Sequence, residues 1–168
     1  MPRAFHSNDG PKLTVLAITQ EMKEFAEAPV AATVGANHPA HGPRLAFGSG
    51  VRVYPESNRG DVFVDVRSSG GLLEALQSDS RIAVVLADPI TYRSLQFKGR
   101  VVDIGEPSPL DLAWVARTRE MFTAAVALIG EPPPVSRNYF TDPVRRISFT
   151  ITDVFDQTPG LNAGRRLA

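Results

Sequence analysis

The alternation of apolar and polar residues along the chain predicts six β-strands separated by short turns. Successive side chains of a strand point to opposite faces of a sheet, so a half-buried strand has an apolar residue at every second position. On this basis we predict strands at 30–36, 44–54, 61–67, 81–87, 91–104 and 145–155. The run RIAVVLA at 81–87 is almost entirely apolar, which predicts a strand buried on both faces.

Three segments carry the residues that begin and end helices, at 19–28, 72–78 and 108–129. The third is the best defined, because Ser108 can cap it, Pro109 suits the first helical position and Asp111 has the spacing of a capping box. Its predicted apolar face comprises Leu112, Val115, Phe122, Val126 and Ile129.

Six strands joined mostly by short turns, with a few helices inserted, predict a mostly β (α+β) fold. We expect a six-stranded antiparallel barrel with flanking helices. A doubly wound parallel sheet fits less well, because the strands do not alternate regularly with helices. We divide the chain into an N-terminal arm (1–18), one domain (19–156) and an irregular tail (157–168).

Composition narrows the function classes. The 168 residues are 43% hydrophobic and 21% charged, as in soluble globular proteins. Eighteen basic residues balance eighteen acidic ones, which argues against a nucleic-acid partner. The absence of cysteine excludes disulfides, thiol catalysis and thiolate metal sites. No signal peptide or membrane span is evident, so we expect a cytoplasmic protein with no membrane association.

A metal site is not predicted. His38 and His41 have a three-residue spacing that could serve a metal, but they lie in a turn with no third ligand nearby in the sequence.

The strand at 44–54 has arginines at both ends and glycines between them. Without a bulge, one face would carry Arg44, Ala46, Gly48, Gly50 and Arg52. A guanidinium matches phosphate, and a bare middle suits a flat ring lying on the sheet. Eight residues of strand span about 26 Å, so the two arginines cannot hold one phosphate without a bend. Alternatively, the glycines permit barrel curvature and both arginines face water.

The segment Arg67, Ser68, Ser69, Gly70 and Gly71 ends a predicted strand and precedes a helix. Hydroxyls and free backbone N–H groups at such a turn suit an anion. An ordinary serine cap with glycines in the turn explains the same residues.

The stretch TYRSLQFKG at 91–99 places hydroxyls, an amide and an ammonium on one side, from Tyr92, Ser94, Gln96 and Lys98. This side could face water, or it could line a cleft for a planar, polar and negative molecule. Arg93 lies on the other side, where it could reach a phosphate or pair with an acid.

The order of these segments resembles the flavin-binding split-barrel superfamily, the family of pyridoxamine 5′-phosphate oxidase. The similarity covers residues 19–155 and is most specific in DVFVDVRSSGGLLEALQSDSRIAVVL and TYRSLQFKGRVV, while VFDQTPG resembles a branch of oxidase-like proteins. The resemblance implies a homodimer of split barrels with FMN bound at the subunit interface. It also implies an FMN-dependent oxidoreductase acting on a small molecule, whose identity stays open.

The resemblance also implies which residues hold the cofactor. The predicted set is Arg44, Arg52, Arg67, Ser68, Ser69, Arg93, Ser94 and Gln96. Arg44, Arg67 and Arg93, with the hydroxyls of Ser68 and Ser69, would hold the phosphate, and Ser94 and Gln96 would position the flavin ring. Leu72 stands where the family usually has a phosphate-binding lysine. Either Arg67 supplies that charge, or phosphate binding is weak or lost.

No catalytic residue is predicted. The sequence has no Ser–His–Asp order with a nucleophile turn, no P-loop and no GxGxxG, which fits a reaction carried by a flavin. Two alternatives remain: a non-catalytic carrier or sensor of flavin, deazaflavin or haem with the same fold, and an interaction domain with an empty cleft. In this family, C-terminal segments reach the partner's flavin, which suggests that role for Asp156, Gln157 and Thr158.

Overall fold

The computed structural model describes residues 16–168, so most of the predicted N-terminal arm lies outside the described residues. The six strands are β1 (Ala31–His38), β2 (Gly42–Tyr54), β3 (Arg59–Asp65), β4 (Arg81–Ala87), β5 (Ser94–Gly105) and β6 (Val144–Asp156). They close into a barrel in the order β1-β2-β3-β6-β5-β4, and every neighbouring pair is antiparallel. The predicted six-stranded antiparallel barrel with flanking helices is confirmed.

The helices are α1 (Gln20–Ala26), α2 (Leu72–Ser78), α3 (Pro109–Ala127) and α4 (Pro133–Ser136). Thr19 caps α1, and the capping box of Ser108 and Asp111 begins α3 as predicted. The segment EPPPV at 131–135 leads into the single turn α4, which has proline at its start. None of the helices among residues 16–168 is long and apolar enough to cross a membrane.

The apolar face predicted for α3 is only partly correct. Val115 and Val126 are buried, whereas Leu112 and Ile129 are 48% and 56% exposed. Ile129 lies beyond the last helical residue, and Leu112 borders an open groove beside Pro143 rather than the core. Phe122 is half-buried. The buried face of the helix runs from its first turn to its last and comprises Asp111, Val115, Thr118, Thr123, Ala125 and Val126.

The barrel core is formed by the inward side of every strand, including Val34, Val53, Val62, Val84, Phe97 and Phe149. Strand β4 was predicted to be buried on both faces, and this is wrong for the single chain. Its inward residues Ile82, Val84 and Leu86 are buried, but Ala83 and Val85 on the other side are only partly covered.

Strand β2 contains a bulge that divides it into two halves. Its pairing with β3 shifts between Gly48 and Val51, and Gly50 has φ +129°, a backbone conformation that favours glycine. Ala46 faces the core before the bulge, and Val51 faces it afterwards. Arg44 and Arg52 therefore leave the strand on opposite faces, and the shared face expected of an unbulged strand does not form.

Strand β5 begins three residues later than predicted. Asp88 accepts hydrogen bonds from the backbone N–H groups of Ile90 and Thr91, and Tyr92 has φ +61°, so this segment is a turn. The alternation starts at Ser94, after which Leu95 and Phe97 are buried as expected.

Candidate functional site

Arg44 and the loop at 67–71 lie against each other at one end of the barrel. Gly71 has φ +84°, and a Cβ atom added there would lie 3.4 Å from Arg44 Nε. The loop follows β3, and α2 follows the loop. Two predicted site segments that are more than 20 positions apart in sequence are thus brought together.

The arginines at this end of the barrel have no acidic partner in the described structure. None of the ion pairs among residues 16–168 includes Arg44 or Arg67. Arg44 Nη1 donates only to the carbonyl of Pro43, at 3.2 Å, and Arg67 is exposed. Two guanidinium groups therefore remain available to an anion.

The loop between these arginines adds backbone donors. The N–H groups of Gly70 and Gly71 donate no hydrogen bond to any described residue. The hydroxyl of Ser69 donates to Val66 O at 2.9 Å, and that of Ser68 lies 3.5 Å from Asp65 O. Each serine must turn its hydroxyl to donate to a ligand, whereas the glycine amides need no such change.

Leu72 cannot supply the charge that the family's lysine would provide. Its side chain is fully buried in the barrel core. Any positive charge at this turn comes from Arg44 and Arg67 instead.

Arg52 is held by a carboxylate on the far side of the bulge. Its Nη1 donates to Asp111 Oδ1 at 2.7 Å, and its guanidinium lies 5.0 Å from the Trp114 ring centroid. Burial alone would raise the pKa of Asp111, but hydrogen bonds from the Ser108 N–H and hydroxyl, with the charge of Arg52, hold that pKa below its ordinary value. The hydrogen bond from Arg52 to Asp111 joins β2 to α3.

Arg93 is likewise paired. Its Nη2 donates to Glu21 Oε1 at 2.7 Å, and its guanidinium lies 4.7 Å from the Phe25 ring centroid. The contact joins the start of β5 to α1. Of the four arginines predicted to bind the cofactor, Arg52 and Arg93 are thus paired with acids, whereas Arg44 and Arg67 have no such partner in the part of the chain that the structure describes.

Ser94 and Gln96 contact the C-terminal tail. The Ser94 N–H donates to Thr158 Oγ1 at 3.0 Å, and Gln157 Nε2 donates to Gln96 Oε1 at 3.2 Å. Hydrogen bonds from the Thr158 hydroxyl and N–H lower the pKa of Asp156. The predicted tail residues and the predicted ring-binding residues therefore form one cluster.

Within one chain, this cluster is distant from Arg44. Arg44 pairs with Ala36 of β1, whereas Ser94 pairs with Ala87 of β4, which in turn pairs with Ala31 of β1. The five-residue offset along β1 corresponds to about 16 Å along the strand direction. One chain does not place both groups around a single phosphate.

One side of the barrel is apolar and largely uncovered, and we call it the outer face. It consists of Leu45 and Phe47 on β2, Thr33 and Gly35 on β1, Ala83 and Val85 on β4, and, at its β5 edge, the polar Gln96 and the exposed Lys98. These residues pair across the strands in two rows, and Leu45 and Phe47 are 66% and 56% exposed. Small side chains on β1 and β4 make the middle of this face smooth.

A buried polar network that we did not predict lies beneath β2. Arg119 of α3 donates to Asp65 Oδ1 at 3.0 Å, to Ser49 Oγ at 3.1 Å and to Thr141 O at 2.9 Å. It also pairs with Asp142 at 3.0 Å. The network joins β2, β3, α3 and the segment before β6.

A cavity with aromatic walls lies beside this network. It is lined by Phe47, Phe122, Tyr139 and Phe140, by small residues of β1 and β2, and by Ser49, Thr118 and Arg119.

The sequence gives one indication of the polar network, since Asp65 interrupts the apolar run VFVDV. It gives no indication that Arg119 pairs with Asp65, because the two residues are 54 positions apart.

Among residues 16–168, no group of three or more histidine, aspartate or glutamate side chains is arranged to hold a metal ion.

Comparisons with known proteins support the fold. No family model matches the chain. No curated protein matches it either. Among solved structures, an F420 reductase aligns with a TM-score of 0.52 at 15% identity, over 82% of this chain and 98% of that one. HupZ of Group A Streptococcus aligns with a TM-score of 0.51 at 17% identity, over 88% and 99%.

A candidate pyridoxamine 5′-phosphate oxidase from Lactobacillus delbrueckii aligns with a TM-score of 0.50 at 15% identity, over 85% of this chain and 97% of that one. At these identities the comparisons concern the fold. The chain has the split-barrel fold of these proteins, which confirms the resemblance at the level of architecture.

Proposed function

We propose that two copies of this chain bind FMN at the seam between them and act as a flavin-dependent oxidoreductase on a small molecule. The observation that carries this proposal is the pair Arg44 and Arg67, which have no acidic partner among residues 16–168, beside the amides of Gly70 and Gly71. Such a group of donors suits a phosphate, because guanidinium and amide N–H groups form charge-assisted hydrogen bonds with its oxygens.

The phosphate position is therefore assigned to Arg44, Arg67, Ser68 and Ser69 with the glycine amides between them. Arg52 and Arg93 are left out of this position, because each already donates to a carboxylate at 2.7 Å. Without Arg52 and Arg93, the phosphate position still has two guanidinium groups, those of Arg44 and Arg67. Their positive charge would replace that of the family's lysine.

The outer face is a suitable surface for contact with a second copy of the chain. It exposes Leu45 and Phe47 beside the small residues of β1 and β4, and the apolar run of β4 has the composition of a strand covered on both sides. Gln96 lies on this face, so a second copy packed there would bring one chain's Gln96 and Ser94 towards the other chain's phosphate position. The two groups that lie apart in one chain would then serve one cofactor.

FMN, when bound, supplies hydride or electron transfer. The chain's own residues would hold the phosphate, orient the ring through the amide of Gln96, and exclude water with the apolar side chains of the outer face.

The first experiment is an absorbance spectrum of the purified protein before and after denaturation, followed by titration of cofactor-free protein with FMN and with riboflavin. We expect a yellow protein that releases FMN, and much tighter binding of FMN than of riboflavin, because riboflavin lacks the phosphate. Equal affinity for the two would contradict the phosphate assignment, and a colourless protein that takes up neither would refute the proposal.

A second measurement distinguishes a flavin-dependent enzyme from a non-catalytic flavin carrier. Reduction of the bound flavin by a nicotinamide cofactor, or by a substrate, supports the oxidoreductase. Stable binding without reduction by any donor supports the carrier or sensor, and a haem-type spectrum would replace flavin by haem.

A further inference from the structure

A wide groove crosses the outer side of the barrel at the end where β1 and β2 form their hairpin, and we call it the basic groove. Its volume is about 620 Å³, within the range of small-molecule sites. Residues of β1, β2, β4, β5 and β6 line it. Its middle is bare, because Gly35 and Ala83 pair there across β1 and β4. A small molecule therefore has room to lie across the strands.

Three cations from two neighbouring strands line the basic groove. Arg81 of β4 and Arg100 of β5 are directly opposite each other in the register, and Lys98 lies two residues before Arg100 on the same side of β5. The backbone positions of the three therefore lie within about 8 Å of one another. Like charges directly opposite on neighbouring strands are destabilising, and a bound anion would relieve their repulsion.

Lys98 is not neutralised by the acid that faces it. Asp153 is opposite Lys98 in the register, but it pairs with Arg166 at 3.0 Å. None of the ion pairs among residues 16–168 includes Lys98. The Lys98 ammonium lies 4.7 Å from the centroid of the Phe155 ring, whose face attracts a cation. Its N–H donors are thus left for water or a ligand.

The two arginines have one carboxylate between them. Arg81 Nε donates to Asp79 Oδ2 at 2.8 Å, whereas Arg100 is in no ion pair of the described chain. Hydrogen bonds from the side chain and N–H of Arg81, then the charges of Arg81 and Arg100, lower the pKa of Asp79. Since Asp79 and Asp153 are both occupied, the charges of Lys98 and Arg100 remain in excess in the groove.

We propose that the basic groove binds the acidic end of a small molecule, a phosphate or carboxylate group, and that this molecule is the substrate. Lys98 and Arg100 carry the binding, and Arg81 adds donors beside them. Charge-assisted hydrogen bonds from ammonium and guanidinium groups suit either kind of anionic oxygen. The substrate role rests on the proposed function, whereas anion binding depends only on the groove.

The position of the basic groove supports the substrate role. The groove shares Leu45, Gly35 and Ala83 with the outer face. A molecule held by its acidic end at Lys98 would therefore lie at the edge of the seam between two copies. Its other end would extend along the outer face, where the proposed function places the flavin.

The test measures anion binding by isothermal titration calorimetry at low ionic strength. The full chain carries Arg44→Ala and Arg67→Ala, so that the proposed phosphate position does not compete. Inorganic pyrophosphate and tricarballylate are the two anionic probes, and glycerol is the uncharged one. We expect saturable binding of an anion with a Kd below about 1 mM and no binding of glycerol. Tighter binding of pyrophosphate assigns a phosphate end to the substrate, and tighter binding of tricarballylate assigns a carboxylate end.

Variants in the same background locate the site. Lys98→Gln and Arg100→Gln should each weaken anion binding about fivefold or more, because each removes a charged donor. Lys98→Arg should retain binding, since it keeps the charge. Arg117→Gln is the matched control, as Arg117 is an exposed arginine on α3 that does not line the groove. Circular dichroism confirms that each variant is folded.

An absence of saturable anion binding overturns the basic groove as a site, and so does binding that survives both Lys98→Gln and Arg100→Gln or that Arg117→Gln weakens equally. The substrate role is read on the chain with Arg44 and Arg67 intact and FMN added. The anion should change the flavin fluorescence of the parent chain but not that of Lys98→Gln, and an unchanged signal in both overturns the substrate role. If the anion binds as expected but FMN does not, the groove stands and the proposed function falls.

Discussion

Arg119 of α3 donates a 3.0 Å hydrogen bond to the carboxylate of Asp65 at the end of β3, and Asp65 is fully buried. The contact joins a helix to the barrel at the floor of the aromatic cavity. The Ser49 hydroxyl donates to the same oxygen, Oδ1, and the Thr141 N–H donates to the other, Oδ2. The shape of the cavity floor therefore depends on both Arg119 and Asp65.

The first prediction concerns this pair. Arg119→Ala leaves the Asp65 charge buried without its partner, and we expect the free energy of unfolding to fall by about 3 kcal/mol, at the lower end for a broken buried pair. Urea denaturation measures the change. Arg117→Ala, on the exposed side of the same helix, is the control and should change stability by less than about 0.5 kcal/mol. Equal effects of the two substitutions would show that the pair is not stabilising.

The second prediction concerns the phosphate position. Arg44→Ala and Arg67→Ala should each weaken FMN binding by about 1.5–3 kcal/mol, the contribution of a hydrogen bond to a charged group. Riboflavin binding should change much less, because it has no phosphate. Flavin fluorescence titration measures both affinities. Arg59→Ala removes another exposed arginine without an ion pair in the described structure, from β3, and should leave FMN binding unchanged. Unaltered FMN retention in both site variants would remove the phosphate assignment.

The third prediction concerns the seam between copies. Val85→Arg places a charge in the middle of the outer face, and burying it against a second copy without a partner would cost several kcal/mol. We expect the variant to be monomeric in analytical ultracentrifugation and to lose FMN, while the parent chain is dimeric. Leu128→Arg, at a 78% exposed position beyond α3, is the matched control and should remain dimeric. A dimer that tolerates Val85→Arg would place the interface elsewhere.

The fourth prediction concerns pH. The pKa of Asp111 is lower in the folded chain than its ordinary value, so its contribution to stability is complete above the unfolded pKa of about 3.9 and is lost as the pH falls through the lower, folded pKa. Asp111→Asn removes this dependence. Between pH 6 and pH 3, urea denaturation should show a larger loss of stability for the parent chain than for the variant. Parallel losses would mean that Asp111 titrates alike in both states.

Much of the fold followed from local pattern. The bounds of β4 and α2 match the predicted 81–87 and 72–78, and Ser108 caps α3 as expected, because strand alternation and helix caps are encoded within a few residues. The second face of β4 was mispredicted for a different reason. An apolar pattern reports that a face prefers burial, but it does not say whether the same chain provides the cover.

The candidate site was predictable only where neighbouring residues define it. Arg67, Ser68 and Ser69 form one loop, and their sequence order indicated it. At the bulge in β2, Gly50 lies so close to Thr118, 68 positions away, that an added Cβ would be 3.2 Å from its side chain. Packing over that distance leaves no mark in the strand, so the opposite orientations of Arg44 and Arg52 could not be read from it. The same holds for the pairing of Arg93 with Glu21 and for the four rings of the cavity, which come from three separate elements.

The bulge at Gly48–Val51 also restricts changes in the length of β2. β2 has one residue more than β3 between these positions, so deleting Gly50 would restore plain alternation with Val51 and Val53 still facing the core. Deleting one residue between Gly42 and Gly48 would instead turn the residues on one side of the deletion to the opposite face. Single-residue insertions and deletions should therefore be accepted in the hairpin between β1 and β2, at residues 39–41, and a deletion at the bulge, but they should be rejected elsewhere in the strand. A deletion scan of β2 would show an engineer where this barrel can be lengthened or shortened.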